Sequence, residues 1–289
     1  MESEAFKTLE GETSFYKAYD NSMSLWDVPF ESNFIETEYG RTHFVTAGPE
    51  TGKPLILLHG FGFGAPMWYP NVKLLSKDHR VYALDVIGEF NKSVIYKSIR
   101  EKDDYALWLC EFLDCLEISK ATFIGHSNGG WHTLNFALYA PERVEKIVLL
   151  APAASFIPFS KQFGIRLIAI NVIKSKSFIN NFFAKWLVAN GNFVHDNLFE
   201  HFYQGLLHFQ WKHKILIPSV FTEKELSRLA VPGLFIVGDK EVIYNPYKAL
   251  EKVHSILPHM RTKLVSNASH ALSIEKAQVV NEEILAFIT

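Results

Sequence analysis

One run of residues constrains this chain more than any other: Thr122-Phe123-Ile124-Gly125-His126-Ser127-Asn128-Gly129-Gly130. It reads as a strand, a sharp turn and the start of a helix, with a serine at the apex and a glycine two positions to either side. Such a turn holds its central residue in a strained backbone conformation, and a side chain at Gly125 or Gly129 would collide with the neighbouring strand or helix. The strain pushes Ser127 Oγ to where another molecule can reach it. A helix over Asn128–Tyr139, ending before Pro141, would point its free amides and partial positive charge at that serine, so an anion forming there would be stabilised. A Gly-x-Ser-x-Gly pattern also arises by chance, and its flanks therefore carry the weight. Residues 120–125 read as a buried strand and 131–140 as a helix, the context of a nucleophile elbow.

Strands and helices alternate around the elbow. Residues 33–39 and 41–47 alternate apolar with polar about Gly40, a hairpin pattern. Residues 54–58 form a continuous apolar run, as in a central strand covered on both faces, and 80–85 and 144–150 read as strands too. Residues 66–77 read as a helix, and 101–116 set Leu107, Leu109, Cys110, Leu113 and Leu116 on a core-facing helix. Strands at 233–237 and 262–265 bracket a helix at 246–257, and a closing helix spans 274–288. This rhythm implies right-handed β-α-β crossovers and a mainly parallel sheet flanked by helices. Residues 4–25 read as a short helix on the outside of the core.

The pattern breaks at Ala151-Pro152-Ala153. From 153 to 228 no β-rich run occurs, the period is helical, and 11 of the chain's 24 phenylalanines lie there. Lys and Arg exceed Asp and Glu in this segment by nine to four. Most of these rings read as the segment's own core; the remainder suit the underside of a helical cap over an apolar pocket. The chain thus divides into a core of residues 1–152 and 229–289 with a cap inserted at 153–228.

At 289 residues the chain is long enough for one large core. Its 29 Lys and Arg against 31 Asp and Glu leave no electrostatic footprint for nucleic acid. The acidic start, Met1 to Lys7, lacks the apolar stretch of a signal peptide, and residues 164–173 are too short and too charged to span a membrane, which predicts no stable membrane insertion. Cys110 and Cys115 point about 140° apart on a helix, which argues against a mutual disulfide. They read as two buried thiols in a reducing cytoplasm.

The loop His59-Gly60-Phe61-Gly62-Phe63-Gly64 has two readings, a phosphate cradle or a bend that turns a free N–H toward the nucleophile. A phosphate loop needs Gly-Lys-Ser/Thr at its end, and Ala65-Pro66-Met67 follows instead; the glycine spacing also fails the dinucleotide fingerprint. The second reading makes the amides of Phe61 and Asn128 an oxyanion hole. A serine hydroxyl is a poor nucleophile until a base takes its proton. Of twelve histidines, His270 follows the last strand at the sheet edge that carries the elbow. His126 adjoins the serine but points elsewhere, His132 lies farther along the helix, and His59 supports the oxyanion loop. His195, His201, His208 and His213 lack the partner set of a metal site. A carboxylate must then orient the imidazole, and Asp239 and Glu241 both stand just beyond the strand at 233–237.

Serine, acid and histidine in that chain order, with His59-Gly60, Gly125-His126-Ser127-Asn128-Gly129, Gly238-Asp239-Lys240-Glu241-Val242-Ile243 and Ser269-His270, resemble the α/β-hydrolase superfamily over essentially the whole chain. In many capped members the acid stands three positions after the strand-end glycine, which falls on Glu241. Aspartate is the usual residue there, so Asp239 stays an alternative. An acid after the preceding strand finds no carboxylate in residues 149–153. Dehalogenase and epoxide-hydrolase relatives carry aspartate at the elbow, where this chain has serine. The resemblance implies a cytoplasmic serine hydrolase that cleaves small carboxylic esters with an apolar acyl group and uses neither metal nor organic cofactor. Carbon–carbon bond hydrolysis and a ligand-sensing role on the same fold are the alternatives.

Overall fold

The structure, a computed structural model, describes residues 5–289 apart from the side chains of residues 171 and 185. The acidic start at residues 1–4 lies outside the described residues. Nine strands among them build one sheet: β1 (Phe30–Thr37), β2 (Gly40–Ala47), β3 (Lys53–Leu58), β4 (His79–Leu84), β5 (Val94–Ile95), β6 (Ala121–His126), β7 (Val144–Leu150), β8 (Gly233–Gly238) and β9 (Arg261–Val265). Their order is β1-β2-β4-β3-β6-β7-β8-β9, with β5 paired to β2. The pairs β1–β2 and β2–β4 run antiparallel, and every neighbour from β4 to β9 runs parallel.

Leu55, Ile56, Leu57 and Leu58 of β3 are fully buried, as is all of β6. Each such side chain contributes about 1.5–3 kcal/mol on leaving water, which is why the apolar runs take the middle of the sheet. After β3 the chain steps to β4 on one side and returns to β6 on the other. A crevice therefore opens at the carboxyl ends of β3 and β6, where Leu58 pairs with Gly125.

Helices α1 (Leu9–Met23), α2 (Lys102–Cys115) and α3 (Asn128–Tyr139) precede β7; α4 (Lys161–Val172), α5 (Lys176–Phe182) and α6 (Asp196–His208) lie between β7 and β8; α7 (Pro246–Ile256) and α8 (Ala277–Ile288) complete the chain. Several differ from expectation. The helix predicted over 66–77 is a 3₁₀ turn, Ala65–Trp68, and a single α turn, Val72–Leu75. Pro70 stands between them without an N–H to continue the ladder. The closing helix is split at Lys276 into Leu272–Glu275 and α8. On α2 the bulky Trp108 and Phe112 take the core face and turn Leu107 outward; Cys115 is exposed and Cys110 half-buried, so the expectation of two buried thiols fails at Cys115.

Helix α1 falls within the expected 4–25 span but, instead of lying on the outside of the core, is wedged between the sheet and α6. Its Phe15 and Tyr19 are fully buried, Lys7 N donates to His208 O at 2.9 Å, and Ser22 Oγ donates to Asn197 O at 2.8 Å. The segment between β7 and β8 contains no strand among the described residues beyond a single bridge from Phe6 to Phe209. Its ends meet where Phe221 N donates to Ser155 O at 3.2 Å. It is helical only in part, because after α6 the chain runs as an irregular strap to Phe221. Pro218 disfavours the helical region for Ile217, and the β-branched Ile215 and Ile217 lower helix propensity further.

Candidate active site

The elbow after β6 is tight because backbone meets backbone. A Cβ on Gly125 would stand 2.1 Å from Gly129 O, and one on Gly129 would stand 2.0 Å from Leu58 O. Ser127 has φ 53° and ψ −114°, an arrangement that costs a non-glycine residue of the order of 1–3 kcal/mol. Hydrogen bonds from Ser127 N to Leu150 O and from Ala153 N to Ser127 O, each 2.9 Å, hold it there. The hydroxyl consequently faces the crevice and not the sheet.

Three loops at this edge converge. Ser127 Oγ donates to His270 Nε2 at 2.8 Å, and His270 Nδ1 donates to Glu241 Oε2 at 2.9 Å. The other carboxylate oxygen of Glu241 accepts from Val242 N at 2.8 Å and Ile243 N at 2.9 Å, so the acid is fixed by its own loop. Asp239, the alternative acid, turns Oδ1 toward Ala268 N at 3.4 Å. The tautomer required by this chain leaves Nε2 free to accept the serine proton. Ser127, Asn128 and Phe61 line one cavity, and the amides of Phe61 and Asn128 have no acceptor among the described residues.

The neighbouring histidines support this frame. His59 Nδ1 donates to Gly60 O at 2.8 Å and its Nε2 accepts from Val86 N at 2.9 Å, bracing the loop after β3. His126, read from sequence as merely pointing away, donates from Nε2 to His270 O at 2.7 Å and so anchors the loop that carries His270. Burial pushes the His126 imidazole down to about 3, with the nearby His270 acting in the same direction. His132 packs its ring 4.2 Å from that of Tyr105, and burial lowers it likewise to about 3. The four histidines of the 153–228 segment point to separate places: His195 caps α6, His201 is buried against Phe15 and Tyr19, His208 lies over Gly11, and His213 meets Ser98 Oγ at 2.8 Å.

Sequence reasoning missed Glu89. It is 2% exposed, accepts from Gly62 N at 2.6 Å and from Asn128 Nδ2 at 2.7 Å, and lines the same cavity as Ser127. Burial pushes its carboxyl above the ordinary range, opposed by His59 and the two hydrogen bonds. The available signal was an acid between Gly88 and Phe90 in the loop that follows the strand read at 80–85.

The cavity holds about 660 Å³. Its floor is Ser127, Asn128 and Phe61; Phe159, Phe163 and Phe202 reach it from the 153–228 segment, while Phe156, Phe182 and Phe183 are buried and Phe193 is exposed. A wall this apolar favours a hydrocarbon or aryl group beside the serine. No helix of the described residues is long and apolar enough to cross a membrane.

A signature described as alpha/beta hydrolase fold matches residues 53–186. The chain is 38% identical to an uncharacterized carboxylesterase, nap, of Bacillus subtilis (strain 168), over 94% of this chain and 91% of that protein. It is 34% identical to the carboxylesterase YbfK of the same organism, over 100% and 98% of the two chains. The crystal structure of naproxen esterase (carboxylesterase NP) from Bacillus subtilis superposes with a TM-score of 0.90 at 36% identity, covering 98% of this chain and 100% of the other. With its parallel sheet, its elbow at the switch point and these full-length likenesses, the chain belongs to the α/β-hydrolase family, among the carboxylesterase-like members.

Proposed function

We propose that the protein is a serine carboxylesterase for esters with an apolar acyl group, with residues 153–228 as the cap of its site. The observation that carries this reading is the unbroken chain Ser127–His270–Glu241, at 2.8 and 2.9 Å, opening on an apolar cavity. The full-length carboxylesterase relatives support the ester as the bond attacked. Ser127 Oγ attacks the carbonyl carbon while His270 Nε2 takes its proton; Glu241 holds the imidazole and offsets its charge. The amides of Phe61 and Asn128 receive the oxyanion. His270 then protonates the departing alcohol, and water, deprotonated by the same imidazole, releases the acid from Ser127. A cytoplasmic location fits the two unpaired thiols. Turnover of a panel of nitrophenyl esters graded in acyl length, by wild type and by Ser127→Ala, tests the reading. Wild-type turnover that survives in Ser127→Ala would overturn it.

A further inference from the structure

A second serine, histidine and aspartate chain stands at the antiparallel end of the sheet. Ser32 lies on β1 and His43 on β2, where Phe34 pairs directly with His43, so Ser32 is the diagonal cross-strand neighbour on the same face. Ser32 Oγ lies 2.7 Å from His43 Nε2, and His43 Nδ1 lies 2.9 Å from Asp85 Oδ2. His43 and Asp85 are fully buried, whereas Ser32 is exposed.

The direction of the hydrogen bonds is what matters chemically. Asp85 also accepts from Ala65 N at 2.8 Å, Lys92 N at 3.0 Å and Tyr19 Oη at 3.2 Å, all of them donors. Burial alone would raise its carboxyl, but His43, His59 and the Ala65 amide together hold it well below the usual carboxylate range. An ionised Asp85 fixes the proton of His43 on Nδ1, which leaves Nε2 as an acceptor aimed at the Ser32 hydroxyl. That is the polarity a general base needs. Ser32 thereby pairs the buried Nε2 of His43, a structural role that reaction with an electrophile distinguishes from a nucleophilic one.

Ser32 also opens on a cavity of about 300 Å³, separate in its lining residues from the one at Ser127. Met23, Phe30 and Val45 give it apolar walls, and Lys92 reaches it with its ammonium paired to Asp20 at 2.6 Å. The Phe34 ring, 5.0 Å from that of His43, covers the imidazole from the side.

We propose that Ser32 is a second nucleophilic serine, activated by His43 and Asp85, which accepts a group from small activated acyl or phosphonyl donors with a short apolar substituent. With a fluorophosphonate the Oγ–P bond forms as the P–F bond breaks, fluoride leaves, and the hydroxyl proton passes to His43 Nε2. With an activated ester the acyl–oxygen bond breaks instead, and the alcohol leaves with that proton.

The test uses Ser127→Ala, which removes the serine of the other cavity. The protein is exposed, folded, to diisopropyl fluorophosphate, and the adduct is followed by intact mass and located by peptide mapping. Ser24 is the internal reference, because it is exposed, lines the same cavity and bonds only to Asn21 O. Labelling at Ser32 should exceed that at Ser24 by about a hundredfold, the lower end of what a positioned base contributes, and should vanish in Ser127→Ala/Ser32→Ala. Ser32→Ala alone should leave ester turnover at Ser127 unchanged. No adduct at Ser32, or one formed no faster than at Ser24, overturns the proposal. Neither result depends on the function proposed for Ser127.

Discussion

At the scale of residues, roles separate by which partner each side chain meets. Ser127→Ala and His270→Ala should each lower kcat by about 10⁴-fold or more, because in the proposed mechanism nucleophile and base act as one unit. Steady-state kinetics on a nitrophenyl ester checks this. Glu241→Gln should cost roughly 10²–10⁴ in kcat by favouring the wrong imidazole tautomer. Asp239→Asn, whose side chain meets only the Ala268 amide, should leave kcat nearly intact. A larger loss at Asp239 would reverse the assignment. Glu89→Ala removes both acceptor oxygens, so Gly62 N and Asn128 Nδ2 lose this partner. A buried donor left unpaired costs about 1–3 kcal/mol, and the displaced loop carries the Phe61 amide. The variant should show a lowered Tm, measured by calorimetry, and a kcat reduced by about tenfold or more, as expected when the proposed oxyanion donor is misplaced.

At the scale of elements, the same substitution has opposite effects in two helices. Gly129→Ala sets a methyl 2.0 Å from a β3 carbonyl oxygen, with backbone on both sides, so the strand and helix must part. Loss of soluble protein or of all turnover is the expected result, read by expression and by activity. Gly164 in α4 has open space around its Cβ position and a helical backbone. Gly164→Ala should therefore raise stability by roughly 0.5–1 kcal/mol, seen as a higher denaturation midpoint. Strands β3 and β6, the elbow and α2 could be recognised in sequence because apolar runs, glycine spacing and helical period are local properties. The break at Pro70 was equally local, since proline cannot continue a helical ladder; the outward turn of Cys115 was not, because it depends on which bulky side chain wins the core face.

At the scale of the whole molecule, three buried histidines couple stability to pH. Burial holds His126, His132 and His201 at about 3, against 6.5 when solvated. Below 6.5 the unfolded chain binds protons that the folded chain refuses, so stability falls as pH drops through that value and continues to fall toward 3. The slope should approach roughly 1.4 kcal/mol per pH unit for each histidine. Asp85, held low in the fold, adds its own loss only as the pH passes below the ordinary aspartate value of 3.8. Denaturant titrations at a series of pH values check the window; constant stability from pH 7 to 5 would contradict the burial of these rings.

The amino-acid sequence by itself determined the elbow, the apolar strands that must lie centrally, the interruption at residues 153–228 and a short set of acids and bases. Each follows from neighbours within a few positions, where propensity and period act. Tertiary structure alone decided that Glu241 and not Asp239 meets His270 across 29 positions, and that His270 meets Ser127 across 143. It also decided that Glu89 turns inward and that Ser32, His43 and Asp85 form a chain. Those distances depend on strand register and loop path, which long-range packing sets and no local pattern records.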